Sequence, residues 1–180
     1  MKTSVKIIFI VLVAILLFVA VFSVWFFVSF KTIYKDIIYA ESEKNSIDAS
    51  LVFAIIKAES KLNANAKSGA GAVGLMQVML PTANYILSLE GESEITEKEL
   101  FDPETNIQIG TKYLAYLIDK FEIVDVAICA YNAGETVVRG WLKDKNYSDD
   151  EKTLKEIPFN ETLNYLKRVK FNQQIYKKIL

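Results

Sequence analysis

Residues 47–61 read Ile-Asp-Ala-Ser-Leu-Val-Phe-Ala-Ile-Ile-Lys-Ala-Glu-Ser-Lys, and the reading of this stretch decides the fold. Asp48 stands where a helix N-cap belongs, and Ile47, Leu51, Ala54, Ile55 and Ala58 recur at the three- and four-residue steps of an apolar helix face. At ~100° per residue, Glu59 falls between Ile55 and Val52 on that same face, with Ser50, Lys57, Ser60 and Lys61 gathered opposite. A carboxylate inside an apolar arc is costly to ionise, so it needs either a partner or a proton.

Towards the N-terminus the chain turns first mixed and then wholly apolar. Ile33, Ile37, Tyr34 and Ile38 repeat at helical spacing and predict an earlier helix. Before it, Ile7 to Phe30 runs without a charged residue or a proline, preceded by Lys2 and Lys6 and closed by Lys31. At ~1.5 Å per residue this run reaches about 36 Å as a helix, enough to cross a hydrocarbon core of ~30 Å with some tilt. A cleaved signal peptide is the rival reading, but its apolar region is usually only ~7 to 15 residues long and ends at a small-x-small site. Ala20-Val21-Phe22 matches such a site poorly. The expectation is an uncleaved single-pass anchor, with residues 1–31 as cytoplasmic stub and span and residues 32–180 as an exported domain. No Gly/Ser/Pro-rich spacer separates the two, which predicts a body held near the membrane surface.

Towards the C-terminus, Ser68-Gly69-Ala70-Gly71-Ala72-Val73-Gly74 implies tight backbone approaches and leads into Leu75-Met76-Gln77 and Pro81-Thr82-Ala83. Asp102 and Pro103 form an N-cap and N1 pair opening a helix that carries Ile107, Leu114, Leu117 and Phe121. Val124 to Tyr131 predicts a further helix stopped at Gly134, Glu135 to Leu142 a short one, and Asn160 onward a long terminal one with Leu163, Leu166 and Val169 inward. A polar loop is expected over residues 143–156. Strand signals are nearly absent, so the domain is expected to be all-α.

Composition then narrows the chemistry. The 180 residues carry a formal net charge of -1 with no block of like charge, which argues against a nucleic-acid partner. There is no histidine, and Cys129 is the single cysteine. Ser/His/Asp and Cys/His nucleophilic sites and Cys/His zinc sites are thereby excluded, and catalysis must rest on carboxylates, hydroxyls and amides. No metal or other cofactor is expected. Cys129 sits in an apolar helix and reads as a small buried side chain.

Several motifs fall in one order: Glu59-Ser60, Ser68 with Gly71-Ala72, Gly74-Leu75-Met76-Gln77, Thr82-Ala83, Asn106 with Gly110 and Tyr113-Leu114, Tyr131-Asn132-Ala133-Gly134, and Ile157-Pro158-Phe159 with Glu161-Thr162 and Tyr165. In that order and approximate spacing the chain resembles the catalytic domain of the soluble-lytic-transglycosylase family, a relative of goose-type lysozyme. The resemblance runs from Ile33 to Val169. Two positions depart from the family pattern. Pro81 directly precedes Thr82 where the family has its proline one residue earlier, and Leu163 and Leu166 replace a basic residue and a valine.

The resemblance implies a lysozyme-like (goose-type) all-α domain with a long cleft, acting on the glycan strands of bacterial peptidoglycan. It implies cleavage of the β-1,4 bond between N-acetylmuramic acid and N-acetylglucosamine by attack of the muramoyl C6 hydroxyl on its own anomeric carbon. Glu59 would be the sole general acid and base, leaving a 1,6-anhydro end and consuming no water. Ser68 resembles the hydroxyl that holds the muramoyl N-acetyl group, Gln77 a cleft amide, Met76 a cleft wall, and Tyr131 and Asn132 neighbours of the catalytic acid. Glu161 has two open readings, a cleft carboxylate touching sugar or a complement to the helix dipole worth ~0.3 to 1 kcal/mol. The alternatives in function are a lysozyme-like hydrolase with water as acceptor and a catalytically silent wall-binding membrane protein.

Overall fold

The computed structural model describes residues 2–180; Met1 lies outside the described residues, as do the side chains of residues 2–5 and of Ser29, so the flanking lysine expected at position 2 is not placed. Two compact units divide the chain, one reaching Thr32 and one running Ile33–Leu180. The first is a single helix, α1 (Lys2–Ser29). Its stretch Lys6–Val28 has a mean hydropathy of 3.4, and side chains such as Leu16, Phe18 and Phe27 stand exposed along it. By length and composition it is a helix that can cross a membrane.

The second unit orders its elements as α2 (Lys35–Lys44), α3 (Ala49–Glu59), β1 (Ala72–Val73), β2 (Val78–Met79), α4 (Leu80–Leu89), α5 (Glu97–Leu100), α6 (Pro103–Phe121), α7 (Val124–Ala133), α8 (Glu135–Lys143) and α9 (Asn160–Ile179). The all-α expectation holds, with one addition: β1 and β2 pair antiparallel in the register Ala72↔Met79 and Val73↔Val78. Strands this short leave no alternation to read in a sequence.

α3 is the centre of the fold. Asp48 caps it by accepting from the Ser50 N–H at 2.9 Å. Every side chain from Ser50 through Ile56 is buried, so the wet face expected from Ser50 and Ser60 is not there. Ser60 is buried as well and returns its hydroxyl to the Ile56 carbonyl at 3.2 Å. A helix enclosed by neighbours on all sides has no reason to be amphipathic. α9 runs antiparallel along α3: the Phe53 and Tyr176 rings stack at 5.0 Å, the Asn172 amide reaches the Ala54 carbonyl at 3.5 Å, and Tyr165 lies by Glu59.

α6 is the other long core helix, opened as expected by Asp102, which accepts from the Thr105 N–H at 2.9 Å, with Pro103 in the first turn. Ile107, Leu114, Leu117 and Phe121 are all buried on it, and α7, α4 and α2 pack around it. Lys112 is buried on the same helix, its amine held at 2.6 Å by both Glu90 and Glu92 from the turn after α4. Pro81 sits in the first turn of α4, where a missing N–H costs no helical hydrogen bond. Cys129 is buried, and burial pushes its thiol up to about 12.

Candidate active site

Glu59 is the last residue of α3. Beyond the C-cap Ser60, Lys61 and Leu62 both adopt left-handed backbone at φ 54 and 71, so the chain turns away at once. Its carboxyl therefore stands at the carbonyl end of a helix, where no free N–H groups point at it. Burial pushes its pKa up to about 7, and the nearby negative charge of Glu161 adds to the rise. Tyr165 and the Arg168 guanidinium act the other way without cancelling it. The result is a carboxyl group that still holds a proton near neutrality.

α9 supplies one wall. Glu161, Tyr165 and Arg168 follow one another at helical steps and all act on Glu59. Tyr165 is wholly buried and its hydroxyl has no partner in normal hydrogen-bond geometry; it faces the Glu59 carboxyl at longer range, and the Arg168 guanidinium lies 5.7 Å above its ring. Glu161 is exposed in the first turn of α9. α7 supplies the opposite wall: Tyr131 donates its hydroxyl to the Met76 carbonyl at 2.8 Å, and burial followed by the charge of Glu59 holds its own pKa well above the usual phenol range. Asn132 joins the walls, accepting from the Thr162 hydroxyl at 2.8 Å. From Tyr131 a row of rings continues through Tyr113 at 5.1 Å to Tyr116 at 6.5 Å and on to Tyr85 at 5.8 Å.

Of the residues expected in the site, Glu59, Tyr131, Asn132 and Glu161 are brought together in this way. Gln77 belongs to the loop between β1 and β2, and Ser68 to the turn that leads into β1. Ser68 accepts the Ala72 N–H at 3.0 Å and keeps its own proton to donate. Gln77 is left-handed at φ 49, and its amide nitrogen donates to the Ala66 and Gly74 carbonyls at 3.1 and 2.9 Å, so its amide oxygen is the atom left to meet a ligand. Met76 requires a correction. Its side chain has 0% exposure, takes the Thr111 hydroxyl on its sulfur at 3.8 Å and lies over Gly110, where an added Cβ would come 2.5 Å from that sulfur. It packs the floor beneath the loop instead of walling a cleft, and reaches the site only through its carbonyl.

Two residues with roles at Glu59, Tyr165 and Arg168, had a signal in the sequence: Glu161, Tyr165, Arg168 and Asn172 lie on one helical stripe. Asn106 had a weaker one. Its fully buried amide accepts from the Met76 N–H at 2.8 Å and donates to the Val73 and Leu100 carbonyls at 3.0 and 2.9 Å, pinning the hairpin loop to α6. Among the described residues no three or more cysteine, aspartate or glutamate side chains converge as a metal site. A cavity of about 190 Å³ lies elsewhere, lined by Ile123, Val126, Cys129, Leu154, Ile157 and Leu166, with few polar groups to do chemistry.

A family model described as the transglycosylase SLT domain matches residues 36–154, which takes in Glu59 and Tyr131 and stops short of α9. The soluble lytic murein transglycosylase of Escherichia coli (strain K12) is 39% identical over 145 residues, covering 78% of this chain and 22% of that protein. Membrane-bound lytic murein transglycosylase C of Edwardsiella ictaluri is 33% identical over 168 residues, covering 81% and 47%. Among solved structures, the 70 kDa soluble lytic transglycosylase of Escherichia coli superposes with a TM-score of 0.75 at 32% identity, over 87% of this chain and 26% of the other. This chain thus spans about a fifth of the soluble relative's length and about half of the membrane-bound one's. The fold shared with these structures is the lysozyme-like helical one.

Proposed function

Because the chain belongs to the transglycosylase SLT domain family, we propose that it is a peptidoglycan lytic transglycosylase that cleaves the β-1,4 bond between N-acetylmuramic acid and N-acetylglucosamine, with Glu59 as general acid and base. The observation that carries this reading is the Glu59 carboxyl, half-buried at the end of α3 and raised there to about 7. Glycosidic oxygen is a poor leaving group and departs only with a proton, which Glu59 supplies as the bond to the anomeric carbon breaks. The muramoyl C6 oxygen then bonds to that carbon and passes its proton to the Glu59 carboxylate. The acid is restored, the new end is a 1,6-anhydro sugar, and no water enters. In this scheme Tyr131 and Tyr165 enclose the carboxyl, the Ser68 hydroxyl and the Gln77 amide oxygen meet the sugar, and Asn132 and Glu161 line the opening.

Digestion of purified peptidoglycan should release muropeptides ending in 1,6-anhydro-N-acetylmuramic acid, read by mass spectrometry as one water lighter than lysozyme products. Reducing ends from the first cleavage would assign the chain to the hydrolases instead.

The membrane reading is likewise a proposal: residues 7–30 anchor a single-pass protein of the bacterial cell membrane whose domain, residues 32–180, acts outside the cytoplasm on peptidoglycan. The exposed apolar surface of α1 and the membrane-bound relatives support it. Protease added to intact spheroplasts should degrade the domain; full protection would refute this topology.

A further inference from the structure

After Glu161 the last helix carries no acid, and all of its further charge comes from Lys167, Arg168, Lys170, Lys177 and Lys178, in a chain whose formal net charge is -1. Lys167, Phe171, Gln174 and Lys178 recur at helical steps and form one exposed strip along α9, with Arg168 and Lys170 at its margins. Lys170 pairs with Asp125 and Lys177 with Asp48, whereas Lys167 and Lys178 make no ion pair with a carboxylate among the described residues. Beside the strip, a groove of about 450 Å³ between the end of α3 and α9 adds Lys57 and Lys61 to Arg168, and the Phe171 ring at its edge is 61% exposed. Like charges gathered on one face repel, and an anionic surface laid against them relieves the repulsion. The face also points away from the candidate active site. Lys57 leaves α3 on the side opposite Glu59, and Lys167 leaves α9 about 160° round from Tyr165, which faces Glu59. A partner covering this face leaves the opening at Glu59 free.

We infer that the outer face of α9, together with Lys57 and Lys61, rests on a membrane surface of anionic phospholipid headgroups and orients the domain upon it. The inference rests on the proposed anchoring by residues 7–30. α1 ends at Ser29 and α2 begins at Lys35, so at ~3.5 Å per residue the connection reaches about 20 Å at most. The C-terminal end of α9 lies beside the helix that this connection enters. Lys177 and Leu180 share a cleft with Tyr39, one helical turn along α2 from Lys35, whose amine stands 5.3 Å from the centre of the Tyr39 ring. A tether this short makes docking intramolecular, so a modest attraction per cation suffices. Lysine and arginine head groups meet the phosphate oxygens, while the Phe171 ring and the lysine stems enter the boundary between headgroups and acyl chains. A dissolved anion would use neither the exposed ring nor the nearness to the tether; a lipid surface uses both.

The test places the full chain in nanodiscs of phosphatidylcholine, with or without phosphatidylglycerol, and follows the acetylation of individual lysines by mass spectrometry. Lys167 and Lys178 should react about five-fold more slowly when phosphatidylglycerol is present, the scale of one cation's attraction to an anionic surface, and high salt should abolish the difference. Lys98, exposed on α5, which packs on α4 and α6, should react alike in both discs. The Lys167→Gln/Lys178→Gln variant, shown to be folded by thermal melting, should lose much of the phosphatidylglycerol-dependent protection of Lys61. Equal reactivity of Lys167 and Lys178 in the two discs overturns the inference, as does protection of Lys98 to the same degree or protection of Lys61 unchanged in the folded variant. Protection by a dissolved glycerophosphate polymer on phosphatidylcholine discs, with none from phosphatidylglycerol, overturns it as well. Because the discs bypass cellular topology, the outcome is separable from the anchoring reading. Protected lysines support the docking face even if spheroplast proteolysis puts the domain inside the cytoplasm, and unprotected ones refute it even if the domain lies outside.

Discussion

The two ends of α3 each carry a carboxyl group, and the fold drives them in opposite directions. At the N-terminal end Asp48 is half exposed. Burial is the largest single cause there and works against ionisation, but hydrogen bonding from Ser50 and the Lys177 ammonium at 3.4 Å together outweigh it and hold the carboxyl below the usual aspartate range. At the C-terminal end Glu59 meets burial and the charge of Glu161, with only Tyr165 and Arg168 in opposition, and rises to about 7. The helix itself makes the difference, since N–H donors emerge at one end and carbonyl acceptors at the other. One end of α3 is thus suited to fix a charge and the other to keep a proton.

The severest way to break the comparison is Glu59→Gln, which keeps shape and removes the proton. Turnover should fall by at least ~10² to 10⁴ while glycan binding persists; a variant cutting at the unaltered rate would remove Glu59 from the mechanism. The same substitution tests stability. A carboxyl raised from 4.5 to about 7 stabilises the fold fully below the lower value, and that contribution is lost as pH rises through the upper one. Urea unfolding should show the unaltered protein losing roughly 2–4 kcal/mol from this group between pH 5 and 8, a loss absent from the variant.

A finer test moves the proton without removing it. Arg168→Gln takes away an attractive charge and should carry the alkaline limb of the kcat/KM profile to higher pH, whereas Glu161→Gln should carry it lower. Both displacements should be smaller than the effect of burial, the largest cause at Glu59. A limb unmoved by Glu161→Gln, with only a few tenths of a kcal/mol lost in stability, would leave Glu161 its helix-dipole role alone. The smallest effect belongs to the opposite end of α3. Asp48→Ala should cost about 1 kcal/mol at pH 7, read by denaturant unfolding. Its sign with pH is reversed: the contribution is present above the ordinary aspartate value and fades as pH falls through the lowered one, so the cost should shrink on acidification.

Much of this contrast was legible before any coordinates. Asp48, the Asp102-Pro103 pair, Gly134 and the start of α9 at Asn160 are set by local chemistry that a sequence displays. So was Glu59, an acid on an apolar arc. What escaped depends on neighbours remote in the chain. Ser50 and Ser60 look like a wet face until α2 and α9 enclose α3, and Met76 looks like a wall until Gly110 opens a hole beneath it. Lys112 can be buried because the Glu90 and Glu92 carboxylates, from another part of the chain, meet its ammonium. The tuning of Glu59 by Tyr165 and Arg168 needs the antiparallel register of α3 and α9, which no local pattern encodes.

The tie between Gly74 and Asn106 bears on how this domain can change over generations. Gly74 has a left-handed φ of 79, and a Cβ placed there would collide with the Asn106 amide. Alanine at position 74 is blocked by that collision and strained by the backbone even without it, and losing the asparagine strands the Met76 N–H and the Val73 and Leu100 carbonyls. Neither position has a neutral single step away from its present state. The two should be inherited as a linked pair, and descendants that vary freely in the surrounding loop should keep both.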